Sequence, residues 1–241
     1  MKHQYFGDTR DLFKYDLILR IMKGMPSIRS FTFIPMLTPG DGSTQGNRTE
    51  HGKAKAGFRN QLLGDYLATC IREKRRNVCE ILPFFTAQKI PVNFHGEAFT
   101  AGDRAAYFRA IPDGWLRDAV VFLDPDIGME VAHPTEKHLL FSEIGGLFHH
   151  MGDDSVLMIF QYFPRVVRQN YLEKRARELE EITPERVHSL SDNQVAFFFL
   201  GRDAGVTKKL REILVRYHED YPDLTLSVSR NPEGSSGLHK P

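Results

Sequence analysis

Val120-Val121-Phe122-Leu123-Asp124-Pro125-Asp126-Ile127-Gly128-Met129 decides the reading of the fold. Four apolar residues, two of them β-branched, run directly into two acids, a proline and a glycine. An uninterrupted apolar run of this length predicts a strand covered on both faces, as in a parallel sheet. Pro125 ends it, because proline has no amide hydrogen to give a sheet ladder. Gly128 then allows a sharp turn. In open α/β folds, ligands gather beyond the carboxyl ends of such strands. Asp124 and Asp126 are therefore the candidate catalytic residues. The competing reading makes Asp124 a turn cap and Asp126 a surface acid.

A second continuous run, Val156 to Phe160, predicts another buried strand, and a helix-length segment separates the two. Upstream, Asp11 to Met22 reads as a helix with a wide apolar face, capped by Asp8 or Thr9 and ended by Gly24 and Pro26. Ser30 to Leu37 is a strand candidate in which Pro35 demands an edge, a bulge or an early end. Asn60 to Glu73 is a second helix, and Val78 to Phe85 reads as a short strand. The stretch from Ala87 to Asp103 is irregular, and Arg104 to Ile111 a short helix. Thr135 caps an expected helix from Lys137 to His150. Further helices are expected at Arg168–Glu181 and Val206–Tyr221. The remaining strands are Arg186–Leu190, Val195–Leu200 and an edge strand Leu224–Val228. Alternating strands and helices predict an α/β three-layer sandwich with a mostly parallel, Rossmann-like sheet. Residues 1–230 form one α/β domain in this reading, followed by a flexible tail, 231–241, rich in Gly, Ser and Pro.

The chain has 241 residues, 41% hydrophobic and 26% charged, with a formal net charge of +1. That is ordinary for a globular protein, and the overall charge alone does not imply nucleic-acid binding. Two cysteines, Cys70 and Cys79, supply neither a disulfide framework nor metal-ligand spacing. No stretch approaches the roughly 18 apolar residues of a membrane span. The start lacks the apolar core of a signal peptide. A cytoplasmic protein without a membrane partner is the expectation.

Between Thr38 and Gly57 the chain becomes polar, with five glycines and the cations Arg48, Lys53 and Lys55. So long a connection is usually functional or unstructured. It lacks the Gly-Lys-Ser/Thr ending of a phosphate-binding P-loop. His51 and Lys53 are candidate substrate contacts here. After the second buried strand comes Tyr162-Phe163-Pro164-Arg165. There Tyr162 or Phe163 would stack a nucleobase and Arg165 would meet phosphate, with core packing as the alternative for each aromatic. The histidines offer no metal-binding spacing, and no Gly-x-Ser-x-Gly elbow is present. No metal is expected. Glu130 and Glu143 are secondary acids, either helpers of the Asp pair or solvated side chains.

Two features resemble S-adenosylmethionine-dependent methyltransferases that act on the exocyclic amine of adenine. The first is Asp124-Pro125-Asp126-Ile127, similar to the Asp-Pro-Pro-Tyr segment in which that family's acid holds the target amine. Asp124 matches the acid, while Asp126 and Ile127 stand where the family has a proline and an aromatic residue. The second is the opening, Tyr5-Phe6-Gly7-Asp8 through Asp11-Leu12-Phe13-Lys14-Tyr15, which looks like the amino-terminal segment of a ribosomal-RNA adenine methyltransferase family. The resemblance implies that Gly7, Asp8 and Lys14 help form a cofactor pocket. Gly40 and Gly42, in Pro39-Gly40-Asp41-Gly42, would add the glycine-rich turn. It further implies S-adenosylmethionine as cofactor and DNA or RNA as partner.

A rival resemblance is to the uracil-DNA glycosylase superfamily, where an Asp-Pro segment after a strand activates water. There Asp124 or Asp126 would direct water at a glycosidic carbon around a flipped nucleotide, with no cofactor. A third reading is an inactive nucleic-acid-binding or adaptor protein on the same fold.

Overall fold

The computed structural model describes residues 1–40, 55–183 and 185–229. The strands are β1 (Ser30–Ile34), β2 (Val92–Phe94), β3 (Ala119–Leu123), β4 (Gly128–Met129), β5 (His138–Leu139), β6 (Val156–Tyr162), β7 (His188–Ser191), β8 (Val195–Gly201) and β9 (Thr225–Val228). The α-helices are α1 (Thr9–Gly24), α2 (Gln61–Arg72), α3 (Leu82–Ala87), α4 (Arg104–Arg109), α5 (Phe141–His150), α6 (Arg168–Ile182) and α7 (Ala204–Asp220). Seven strands form one sheet in the order β2-β1-β3-β6-β8-β7-β9. β2, β1, β3 and β6 run parallel, in register Phe31↔Val92, Thr32↔Val121 and Phe122↔Met158. β8 opposes both β6 and β7, and β9 opposes β7 at the edge.

The alternation of side chains along β3 explains why its apolar run is unbroken. Val120 and Phe122 enter one core with Phe31, Phe33, Met158 and Phe197, covered by α1, α2, α3 and α7. Val121 and Leu123 enter the opposite core with Leu157, Ile159 and Phe198, covered by α4, α5 and α6. Helices on both faces of a largely parallel sheet make the expected three-layer α/β sandwich.

Several elements differ from their sequence reading. Val78–Phe85 is helical: a short 3-10 turn, Val78–Ile81, leads into α3. Asn77 starts the turn by accepting from the Cys79 amide, and Pro83 sits at the beginning of α3, where a missing amide hydrogen costs nothing. The irregular stretch hides the three-residue edge strand β2. The helix expected from Lys137 begins only at Phe141. The preceding residues are drawn into the β4–β5 pair, and Thr135 contacts the His138 ring instead of capping a helix. β1 ends at Ile34, immediately before Pro35, yet is an interior strand. The tail 231–241 lies outside the described residues. Among the described residues no helix is long and apolar enough to cross a membrane.

Candidate functional site

The sheet order reverses between β1 and β3: from β1 the chain moves outward to β2, and then β3 returns on its other side. Such a switch point leaves a crevice at the carboxyl ends of the two diverging strands, where open α/β folds bind ligands. Pro35 to Gly40 leave β1 here, and Asp124-Pro125-Asp126 leave β3. The Asp124 amide still donates to the Ile34 carbonyl at 3.0 Å, so the acid begins where the ladder ends.

The amino-terminal segment and the first turns of α1 lie against this crevice. Asp8 starts α1 by accepting from the Arg10 amide at 2.8 Å, as an N-cap should. Arg10 also reaches the Asp8 carboxylate, at 2.9 Å, and lies over the Tyr162 ring, 4.9 Å from its centroid. Three residues further along, α1 is buried on nearly every side, so charges on it have to find partners. Lys14 does so twice: its Nζ lies 2.7 Å from Asp124 Oδ2 and 2.9 Å from Asp11 Oδ1. The second Asp11 oxygen accepts from the Gly7 amide at 2.6 Å. Lys14, Asp11 and Asp124 are all buried.

Burial alone would depress the Lys14 ammonium, but the two carboxylates more than offset it and hold Lys14 well above the usual lysine range. Burial dominates at Asp11 and pushes its carboxyl upward, against the pull of Lys14. The result is a dry lysine held in its charged form at the strand ends. Its cation also lies over the Phe122 and Phe160 rings, at 5.7 and 5.5 Å.

Asp126 occupies a second position. Its Oδ2 accepts from Thr38 Oγ1 at 3.1 Å and lies 3.7 Å from Lys2 Nζ, whereas its Oδ1 is buried without a hydrogen-bond partner among the described residues. Asp124 and Asp126 border a cavity of about 10 Å³ together with Tyr5, Asp8, Asp11 and Tyr162. That is space for one water.

The loop beyond Asp126 is held firmly. Gly128 has φ +130°, a conformation that side chains disfavour, and an added Cβ would run into Gln161. Gln161 accepts from the Met129 amide at 2.7 Å. Arg104 binds both Glu143 oxygens and the carbonyls of Glu136 and His138, and Arg175 donates to the Glu130 carbonyl. Glu143 also accepts from the Leu140 amide at the start of α5, and Glu130 from the Phe141 amide. Both acids therefore brace this loop and stand apart from the Asp pair.

Of the residues singled out in the sequence, Asp124, Asp126, Asp8, Lys14 and Tyr162 meet around this one cavity, and Gly7 is tied to it through Asp11. Gly7 has its own structural reason to be glycine: φ is +81° and a Cβ would stand 2.9 Å from the Ile71 side chain. Gly40 is exposed beyond β1. Phe163 points to the opposite core and contacts Tyr171, while Arg165 lies in an adjoining open groove that shares Arg10 and Tyr162 with the cavity. Gly42, His51 and Lys53 lie outside the described residues. The sequence reading missed Lys2, Arg10, Asp11 and Thr38. Asp11 and Lys14 had a visible signal, an acid and a base three residues apart on a helix without a polar face. Lys2 and Thr38 had none, since only the fold brings them to Asp126. No group of three His, Cys, Asp or Glu residues able to hold a metal ion occurs among the described residues.

Fold and site together define a doubly wound α/β protein with a buried lysine–carboxylate centre at its topological switch point. No family model, curated protein or solved structure matches the chain.

Proposed function

We propose that this chain is an enzyme that modifies a base in nucleic acid, with Asp124 as the acid that meets the base and methyl transfer as the first reading of the chemistry. One observation carries it. The two stretches that resemble adenine methyltransferases, around Lys14 and around Asp124, stand 110 residues apart in the chain yet meet at 2.7 Å at the switch point.

S-adenosylmethionine itself does not fit between the residues as they stand. Gly7, Asp8 and Lys14 are engaged with Asp11, Arg10 and Asp124, and the cavity among them has the size of a water. Methyl transfer requires these contacts to part when the cofactor binds.

A second reading is favoured by the same cavity. Hydrolysis of a glycosidic bond needs one oriented water and one acid, and Asp126 Oδ1, a buried acceptor without a partner among the described residues, stands at a water-sized space. In that reading Asp126 directs the water, and the Lys14–Asp124 pair fixes the local field without reorganising during the reaction.

The test offers DNA and RNA substrates with and without S-adenosylmethionine, and scores methyl incorporation and abasic sites separately. Calorimetric titration with the cofactor runs alongside. Heat and a melting shift support methyl transfer, whereas their absence together with abasic-site formation selects hydrolysis. Asp124→Asn stays folded, because Lys14 retains Asp11, and lowers turnover by about 10²-fold or more. Asp126→Asn matches that loss if hydrolysis is the reaction and is milder otherwise. A folded Asp124→Asn/Asp126→Asn protein with full turnover would make the centre purely structural.

A further inference from the structure

The connection from β6 into the first residue of α6 reads Pro164-Arg165-Val166-Val167-Arg168, and the reading of the chain as a base-modifying enzyme gives it a partner. Val166 and Val167 are 53% and 68% exposed, although nothing in the fold obliges two adjacent aliphatic side chains to face water. An arginine flanks them on each side, and neither Arg165 nor Arg168 makes an ion pair or side-chain hydrogen bond among the described residues. The loop borders an open groove of about 860 Å³ whose charged lining residues are Arg10, Arg165 and Arg168, with no carboxylate among them. Arg10 shares its charge with Asp8, so Arg165 and Arg168 are the unspent cations. In a chain of net charge +1, this is a local cationic edge. It leads directly to the Asp124–Asp126 cavity through Arg10 and Tyr162, which line both.

We propose that this edge binds duplex DNA, with Arg165 and Arg168 on backbone phosphates and Val166-Val167 as an apolar wedge that enters the base stack next to the catalytic cavity. The chemistry of the loop matches both demands. Guanidinium groups carry the sequence-independent part of duplex affinity by displacing counterions. Aliphatic side chains inserted at a base step unstack it and bend the duplex. An enzyme whose acid lies below its surface needs its target base out of the stack, and filling the space left behind offsets part of that cost. The distance from loop to cavity is short, since Tyr162 ends β6 and the loop starts two residues later.

Binding is measured by anisotropy with a labelled duplex of about 20 base pairs that contains one mismatch, the cheapest site for extrusion. A 2-aminopurine next to the mismatch reports unstacking. The wild-type protein is expected to bind, to raise the 2-aminopurine fluorescence, and to lose affinity steeply between about 50 and 200 mM salt. Arg165→Gln/Arg168→Gln lowers affinity by about tenfold or more and flattens the salt slope by about two. Val166→Ser/Val167→Ser keeps affinity within about threefold and loses the fluorescence rise. All four side chains are exposed, so both variants melt as the wild type does.

The proposal falls if the duplex is not bound at low salt, or if the arginine variant keeps the full salt slope. It falls equally if the valine variant still unstacks the duplex. Tighter binding to single strands, to duplex RNA or to phosphatidylserine vesicles overturns it in favour of those partners. Asp124→Asn separates this proposal from the reading of the site. That variant binds and unstacks DNA normally while turnover drops, and if turnover persists with the wedge signals intact, the site reading fails and the wedge stands.

Discussion

Lys14 and His188 are both polar side chains buried on the same face of the sheet, and they are treated in opposite ways. Lys14, 3% exposed, keeps its charge because two carboxylates stand within 3 Å of its Nζ. His188, 1% exposed beneath α7, has no ion-pair or side-chain hydrogen-bond partner for its ring among the described residues. Burial, helped by the Arg211 charge, lowers its pKa to about 4, so it packs as a neutral ring. An uncompensated charge cannot stay in the core, whereas a neutral ring can. Holding a charge at Lys14 required the fold to bring in Asp124 from 110 residues further along the chain. A buried ion triad seldom repays its own desolvation, so the centre adds little net stability even though losing any one member is costly.

The largest effect should come from breaking the triad. Lys14→Met strands Asp11 and Asp124 in the core and is expected to cost about 3–5 kcal/mol, read from urea unfolding. The triple variant Lys14→Met/Asp11→Leu/Asp124→Leu should recover most of that loss while remaining inactive. If Lys14→Met costs less than about 1 kcal/mol, the centre behaves as a solvated surface pair and the contrast with His188 disappears.

His188 predicts a smaller, pH-dependent effect. Its folded pKa lies below the unfolded value of 6.5, so the unfolded chain binds a proton that the folded chain refuses. Stability therefore falls as pH drops from about 6.5 towards 4. Between about pH 7 and about pH 5 the loss should be on the order of 2 kcal/mol, and His188→Leu should remove that portion of the slope. An unchanged slope in the variant would show that His188 binds its proton equally well in the folded and unfolded chains.

The smallest effect is expected where charges pair in solvent. Arg59 lies 2.7 Å from Asp220, with both side chains substantially exposed. Arg59→Gln should change stability by no more than about 1 kcal/mol, a change that about 0.5 M salt already screens away. A larger loss would mean that geometry alone, without burial, sets the strength of ion pairs in this protein.

The features legible in the sequence were those whose signal is local. β3 and β6 announced themselves through apolar runs buried on both sides, and Pro35 and Pro125 marked where strands stop. Asp124 and Lys14 were visible singly, the first as an acid at a strand end and the second through a resemblance. That they touch was not legible, because spacing along the chain carries no information about strand order. β2 was too short to show a period, and β5 took residues that looked like the start of a helix. Val78 to Phe85 misled because apolar residues in a short run fit a buried helix as well as a strand. Arg104 and Arg175, which hold the loop beyond Asp126, carry no local signal of that role, because only the fold brings their carbonyl partners to them.

The interior position of β1 also has a consequence during synthesis. Its two neighbours, β2 and β3, come from far downstream, and the pairing Ile34↔Leu123 closes a segment of about 90 residues. At a translation rate of roughly 5–20 residues per second, Phe31, Phe33 and the apolar flanks of α1 wait several seconds for the strands that will cover them. High contact order of this kind slows folding and leaves a sticky amino-terminal third on the nascent chain. The lysine–carboxylate centre can close only once Asp124 has been made, and a chain that stops before it lacks the centre altogether.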